Sequence, residues 1–212
     1  MGFRSFSTAI EELAFSGVLV GQRLILPGDE DALLPEEAPA FDRSIVAVRR
    51  ASGAARLVAR NLLRCLGYPE WPIKRTSAGA PIWPEGIRGS LAHDSDYAVA
   101  AICREQHFRA LGIDVEPAEL LPRELAELVA TPREREHLDA DGFRGRMLFV
   151  AKEAVYKAVY PLDRIFLDHH DIEIDFANRE ATICNGRVVH LRFCASPHLA
   201  ALAFIPAGQE ST

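Results

Sequence analysis

Cysteine is scarce in this chain of 212 residues, and its four copies, Cys65, Cys103, Cys184 and Cys194, form no CxxC pair and no zinc-ligand spacing. That excludes a zinc-ribbon type of site and predicts free thiols in a reducing, cytoplasmic setting. Long apolar runs are missing as well. None approaches the ~18 residues of a membrane span. The N-terminal apolar stretch follows Glu11 and Glu12 and is interrupted by Gln22-Arg23, which does not fit a signal peptide. Phe6 stands where a myristoylation pattern needs Ser or Thr. Positive charge is not in excess: 24 Lys and Arg face 30 Asp and Glu, a net charge of −6. A general nucleic-acid binder is therefore not expected, although a local basic pocket is still possible. What remains is 49% hydrophobic and 25% charged, enough to build a core in one large domain or two small ones.

The most informative stretch is Leu111-Gly112-Ile113-Asp114-Val115-Glu116-Pro117. Its alternation reads as a strand with Leu111, Ile113 and Val115 facing a core. Asp114 and Glu116 then share the other face, with Cα atoms roughly 6–7 Å apart. Pro117 ends the regular pairing. Two neighbouring carboxylates repel each other and favour a cation between them, and hard oxygen donors suit Mg²⁺. An exposed acidic strand end is the plainer alternative.

In chain order, residues 1–27 suggest one or two strands, and 28–43 an acidic loop. A helix is predicted from a cap at Ser44 to Gly67, with Ile45, Val48, Ala55, Val58, Leu62 and Leu66 as its apolar side. Arg49, Arg56, Arg60 and Arg64 form a second stripe, with Gly53 in it; this is either a solvated basic face or an anion site. The Pro- and Gly-rich segment 68–89, carrying Lys74 and Arg75, is expected to line a surface or pocket. Gly89-Ser90-Leu91-Ala92-His93 follows, then an apolar strand Ala98–Ile102 expected to form a hairpin with Ala110–Glu116. Helices are predicted over Arg123–Ala130, from Thr131 to about Asp139 through a capping box, and over Arg144–Tyr160, stopping at Pro161. On the last of these, Glu153 and Lys157 are spaced as an i,i+4 pair. Strands are expected at Ile172–Phe176, Ala181–Ile183, Val188–Phe193 and Leu199–Ile205. Tyr97–Ile102 and Leu199–Phe204 look alike, which hints at two related halves.

Taken together, these segments resemble the 4′-phosphopantetheinyl transferases of the surfactin and enterobactin synthetase type. The resemblance spans Val48 to Ile205. It rests on Arg49 and Arg56, on Gly79-Ala80-Pro81-Ile82-Trp83-Pro84 and on Gly89-Ser90-Leu91-Ala92-His93. It rests most on Gly112-Ile113-Asp114-Val115-Glu116 and Phe149-Val150-Ala151-Lys152-Glu153-Ala154-Val155-Tyr156-Lys157, which match the family's GIDVE and WxxKExxxK signatures. Phe149 replaces the usual Trp, Ala92 a usual Ser or Thr, and Ala55 the usual Gly.

The resemblance implies an α+β fold of two similar halves in a pseudo-two-fold arrangement, residues 1–110 and 111–212, with the active site between them. It implies transfer of the phosphopantetheine arm of coenzyme A to a serine of an acyl or peptidyl carrier protein, with release of adenosine 3′,5′-bisphosphate. Asp114, Glu116 and Glu153 would hold Mg²⁺, Glu153 would also act as base, and Lys157, assisted by Lys152, would neutralise the leaving phosphate. Arg49, Arg56, Lys74, Arg75, Ser90 and His93, with Lys152 and Lys157, would bind coenzyme A. A coenzyme A-binding module and a metal-dependent phosphodiesterase are the alternatives. The leucine-rich segment after the metal strand, with Leu120, Leu121, Arg123, Leu125 and Leu128, is the candidate carrier contact. A monomer, free of membrane and nucleic acid, is expected.

Overall fold

The computed structural model describes residues 6–138, 143–195 and 197–208. In chain order the elements are α1 (Phe6–Glu11), β1 (Val18–Leu24), α2 (Val46–Cys65), β2 (Ile87–His93), β3 (Tyr97–Arg104) and β4 (Phe108–Pro117). Then come α3 (Arg123–Val129), α4 (Pro132–Arg135), α5 (Arg144–Asp163), β5 (Ile172–Asp175), β6 (Glu180–Ile183), β7 (Val188–Cys194) and β8 (His198–Pro206). The strands form two antiparallel sheets, in the orders β1-β3-β2 and β4-β8-β7-β6-β5.

The sheets stack face to face between two helices of 20 residues each. Between them lie Val99 and Ala101 of β3, Leu111, Ile113 and Val115 of β4, and Ala200 and Leu202 of β8, closed at one end by Phe6, Ile10 and Leu13. On the outer face of the first sheet, α2 packs Val58, Ala59 and Leu63 against Ala100 and Ile102. On the outer face of the second, α5 packs Ala151, Ala154, Val155 and Ala158 against Ala110, Ala201 and Ala203. β3 and β8 are thus covered on both faces, which is why both read as unbroken runs of small apolar residues rather than as alternating strands.

This layering overturns the expected hairpin. β3 pairs with β1 and β2, whereas β4 pairs with β8, Asp114 standing opposite Ala201. The turn after β3 carries the chain from one sheet to the other. The N-terminal segment forms α1 before its strand, on the helical spacing Phe6, Ile10, Leu13. α2 begins at Ile45 without a side-chain cap, so Ser44 does not cap it. Its other end is a Schellman motif: Gly67 has φ of 94°, its N–H donates to Arg64 O, and Tyr68 N–H donates to Leu63 O. Thr131 makes the predicted capping box, but the helix it opens ends at Arg135; Asp139 lies outside the described residues. α5 runs through Pro161 to Asp163, because a proline in the last turn loses one hydrogen bond only. Arg164 N–H closes that end on Tyr160 O at 2.8 Å.

Two glycines set how closely the helices approach. A Cβ on Gly112 would lie 2.0 Å from Ala154 O and 2.6 Å from Ala158 N, so α5 rests directly on the backbone of β4. A Cβ on Gly53 would lie 1.9 Å from Asp29 O, so α2 rests on the 3-10 turn Asp29–Ala32. The reason for a glycine in α2 is therefore packing.

Candidate active site

A cleft of about 1010 Å³ runs from α2 and the loop of residues 75–81, across β2 and the start of β4, to α5. Arg56, Arg75, Ser90, His93 and Lys157 all line it, as do Ala55 and Ala92. Arg49 and Lys74 do not, and neither does Lys152.

At one end, the Phe41 ring has the guanidinium of Arg56 at 4.7 Å and that of Arg75 at 5.2 Å. Arg56 is buried and donates to Ile73 O at 3.0 Å and to Ser52 O at 3.1 Å. Arg60, also buried, bonds Glu37 at 3.0 Å and Ala32 O at 2.6 Å. Although Arg49 is half-buried and Arg64 exposed, the middle of the basic stripe, Arg56 and Arg60, is therefore not a solvated face. Fully buried Glu37 is its counter-charge, 3.8 Å from Arg56, and it also accepts from Ile73 N–H at 2.6 Å. Burial lowers the Arg56 pKa to about 10, helped by the charges of Arg75 and Arg60 and opposed by Glu37, which leaves a full cation at neutral pH. Glu37 is shared by two guanidiniums, Arg56 and Arg60, and Arg75 adds a third cation over the same Phe41 ring, which leaves this end short of negative charge, as a phosphate site requires. Ser90 is buried beside it. His93 is exposed, yet enough protein surrounds it for desolvation, and then Lys157, to lower its pKa.

At the other end, where α5 meets β4, Lys157 lines the cleft, whereas Asp114, Glu116 and Glu153 do not. The approach allowed by Gly112 brings Lys157 Nζ to 2.6 Å from Asp114 Oδ1. Lys157 thus bonds Asp114 rather than completing the expected i,i+4 pair, and Glu153 Oε1 instead lies 3.1 Å from His169 Nε2. Glu116 Oε2 accepts from Arg146 Nη1 at 3.1 Å. Burial pushes the Asp114 carboxyl up, with Glu153 adding to this and Lys157 opposing. Burial and then the Asp114 charge push Glu116 up. The hydrogen bond from His169 and the nearby Lys157 hold Glu153 below the usual range against desolvation.

Among the described residues no three such side chains converge closely enough to hold a metal ion as they stand. The donor set still fits Mg²⁺. It offers carboxylate oxygens only, and each of Asp114 and Glu116 is raised partly by the charge of a neighbouring carboxylate.

Lys152 requires a correction. It is completely buried, and Nζ donates to Val129 O at 2.8 Å, to Glu134 Oε2 at 2.6 Å and to His169 O at 2.8 Å. An ammonium has three donors, and all three are used within the protein. Leu121 is also turned inward, packing against the core under α5, while Leu120 (53% exposed), Leu125 (45%) and Leu128 (65%) stand out beside it. Arg123 is exposed, its nearest acidic partner being Glu127 at 3.6 Å. Sequence reasoning missed Phe41, Glu37, Arg146 and His169. None lies in a signature, and no local spacing singles them out.

Residues 36–103 match the model of the 4′-phosphopantetheinyl transferase N-terminal domain, and residues 110–203 that of the 4′-phosphopantetheinyl transferase superfamily. The chain belongs to the 4′-phosphopantetheinyl transferase superfamily. It is 36% identical over 187 residues to the 4′-phosphopantetheinyl transferase PptT of Mycobacterium tuberculosis, covering 86% of this chain and 79% of that one. It is 38% identical over 180 residues to Npt of Nocardia iowensis, covering 84% and 81%. A 30% identity over 158 residues links the transferase to enterobactin synthase component D of Salmonella typhi, covering 70% and 60%. No helix of the transferase, among its described residues, is long and apolar enough to cross a membrane.

Proposed function

We propose that this transferase moves the 4′-phosphopantetheine arm of coenzyme A onto a serine of an apo carrier protein and releases adenosine 3′,5′-bisphosphate. One observation carries the reading: a single cleft joins the Arg56–Arg75 end, short of negative charge, to Lys157, which is bonded to Asp114. Arg56, Arg75, Ser90 and His93 hold the 3′-phosphate and adenine end. Arg49 and Lys74, outside the cleft lining, contribute at most from its edge. The serine oxygen attacks the phosphorus that bears the pantetheine, and the bond from that phosphorus to the bridging oxygen breaks. Glu153 takes the serine proton. Lys157 neutralises charge on the departing 5′-phosphate. Asp114, Glu116 and Glu153 are the residues that would hold Mg²⁺, which when bound supplies positive charge to the pyrophosphate.

The two halves, each a long helix on a sheet that contains a small-residue strand, support a pseudo-two-fold division near residue 110. The carrier's place is the apolar patch of Leu120, Leu125 and Leu128 with Arg123. Arg146, bonded to Glu116 and to Leu120 O at 3.2 Å, ties this segment to the chemistry. Free thiols support a cytoplasmic setting, and the reading takes the protein to act there as a monomer. Incubation with coenzyme A, Mg²⁺ and an apo carrier protein, followed by mass spectrometry of the carrier, tests the reading. The carrier should gain one phosphopantetheine arm. Bisphosphate released without that gain would mean hydrolysis, and neither product would mean a coenzyme A-binding module.

A further inference from the structure

Three signature positions of α5, Phe149, Lys152 and Glu153, converge on one residue outside the signatures, His169. They stand at i, i+3 and i+4, hence on one side of the helix. The Phe149 ring lies against the His169 ring, centroids 5.6 Å apart at 33°. Lys152 Nζ donates to His169 O at 2.8 Å. His169 Nε2 lies 3.1 Å from Glu153 Oε1, and facing a carboxylate that nitrogen is the donor.

The anchoring continues inward. Lys152 is held by Glu134, whose other bonds come from Thr131 N–H at 2.8 Å and Ile174 N–H at 2.7 Å. Glu134 thus ties the α4 turn and β5 to α5. Desolvation lowers the Lys152 pKa, with Glu134 opposing. A buried ion pair with this many partners is an expensive way to gain stability, since apolar residues of similar volume often do as well. What it secures here is the place of the His169 backbone.

We propose that His169 is the positioning residue for Glu153: it holds Oε1 and leaves Oε2 turned toward the reacting groups, and Lys152 and Phe149 serve transfer by fixing His169. An unheld glutamate on a helix samples several rotamers. A group displaced by about 1 Å from its productive position loses on the order of 10² in rate. The inference rests on the transfer reading above, and it gives Lys152 a role without contact to substrate.

The test uses the full chain, coenzyme A, Mg²⁺ and an apo acyl carrier protein. His169→Phe keeps a ring against Phe149 but removes the N–H. His169→Gln restores an N–H donor of similar reach. The Phe variant should lose about 10- to 100-fold in kcat, with the calorimetric Kd for coenzyme A within about twofold and Tm within about 2 °C of wild type. The Gln variant should recover kcat to within about fivefold of wild type. Wild-type kcat in the Phe variant, or equal loss in the folded Gln and Phe variants, overturns the proposal. Should His169→Phe not fold, His169→Met, which also lacks a donor, takes its place under the same criteria. An inactive wild type overturns the transfer reading, and the positioning role with it. An active wild type with indifferent variants overturns the positioning role alone.

Discussion

Gly112 touches no substrate, yet Gly112→Ala is predicted to disable the enzyme. The new Cβ would stand 2.0 Å from Ala154 O and 2.6 Å from Ala158 N, against 3.4 Å or more for an ordinary contact. Both neighbours are backbone atoms of a helix, so neither can turn aside. Relief requires α5 to rise from β4 by about 1.4 Å, or β4 to bow away by as much. Overpacking of this kind costs about 1–3 kcal/mol, and the rigid surroundings place this case at about 3 kcal/mol. For a domain of this size that is a Tm loss of about 6–12 °C. The same displacement separates Glu153 and Lys157 from Asp114, and a shift of about 1 Å costs on the order of 10² in kcat. Calorimetry and steady-state transfer assays measure the two effects. Gly53→Ala is the control, because its Cβ would stand 1.9 Å from Asp29 O, far from Glu153 in the fold. It should lower Tm similarly and raise the KM for coenzyme A through Arg56, while kcat at saturating coenzyme A holds within about threefold. A Gly112→Ala enzyme with Tm within about 2 °C and kcat within about threefold of wild type would refute the reasoning.

Arg56→Gln should weaken coenzyme A binding by about 10-fold or more while leaving dephospho-coenzyme A nearly unchanged, as loss of a charged hydrogen bond to the 3′-phosphate predicts; equal losses by calorimetry would leave Arg56 a structural role only, through Ile73 O, Ser52 O, Glu37 and Phe41. Leu125→Asp, at an exposed position, should raise the carrier KM by about 10-fold with coenzyme A affinity intact; an unchanged KM would move the docking site elsewhere. Mg²⁺ affinity should fall on acidification while the pH is still above the ordinary carboxylate range. Asp114 and Glu116 are both raised, so they take up protons earlier than a free carboxylate, and only their ionised forms hold the metal. Calorimetric Mg²⁺ affinity that stays flat down to about pH 5 would contradict those shifts.

The parts of the site legible in the sequence are those whose chemistry is local. Asp114 and Glu116 share a strand face by simple alternation, and Gly67 and the Thr131 box announce themselves through backbone chemistry. Interior placement was not legible. An arginine stripe reads as a wet surface until the fold places Glu37 beneath it, and Lys152 reads as a catalytic cation until Glu134, Val129 O and His169 O are seen to use every donor. Likewise β3 and β4 read as a hairpin because proximity in sequence is the usual guide, whereas here neighbours in the chain belong to different sheets. The spacing of Phe6, Ile10 and Leu13 did carry the signal for α1.

Among the described residues β4 stands at the edge of its sheet and its one ladder partner is β8, with Asp114 opposite Ala201 and Glu116 opposite Leu199. A strand whose register depends on so remote a segment closes late, because the entropy of the long loop must be overcome before any ladder bond forms. The carboxylates therefore have no fixed spacing until β8 has docked. A chain still being made, or one in which β8 has opened locally, can carry every signature residue and remain inactive. Protection from amide exchange along β8 should accordingly rise and fall with the fraction of molecules able to react, the expected outcome where β4 loses its register whenever β8 opens.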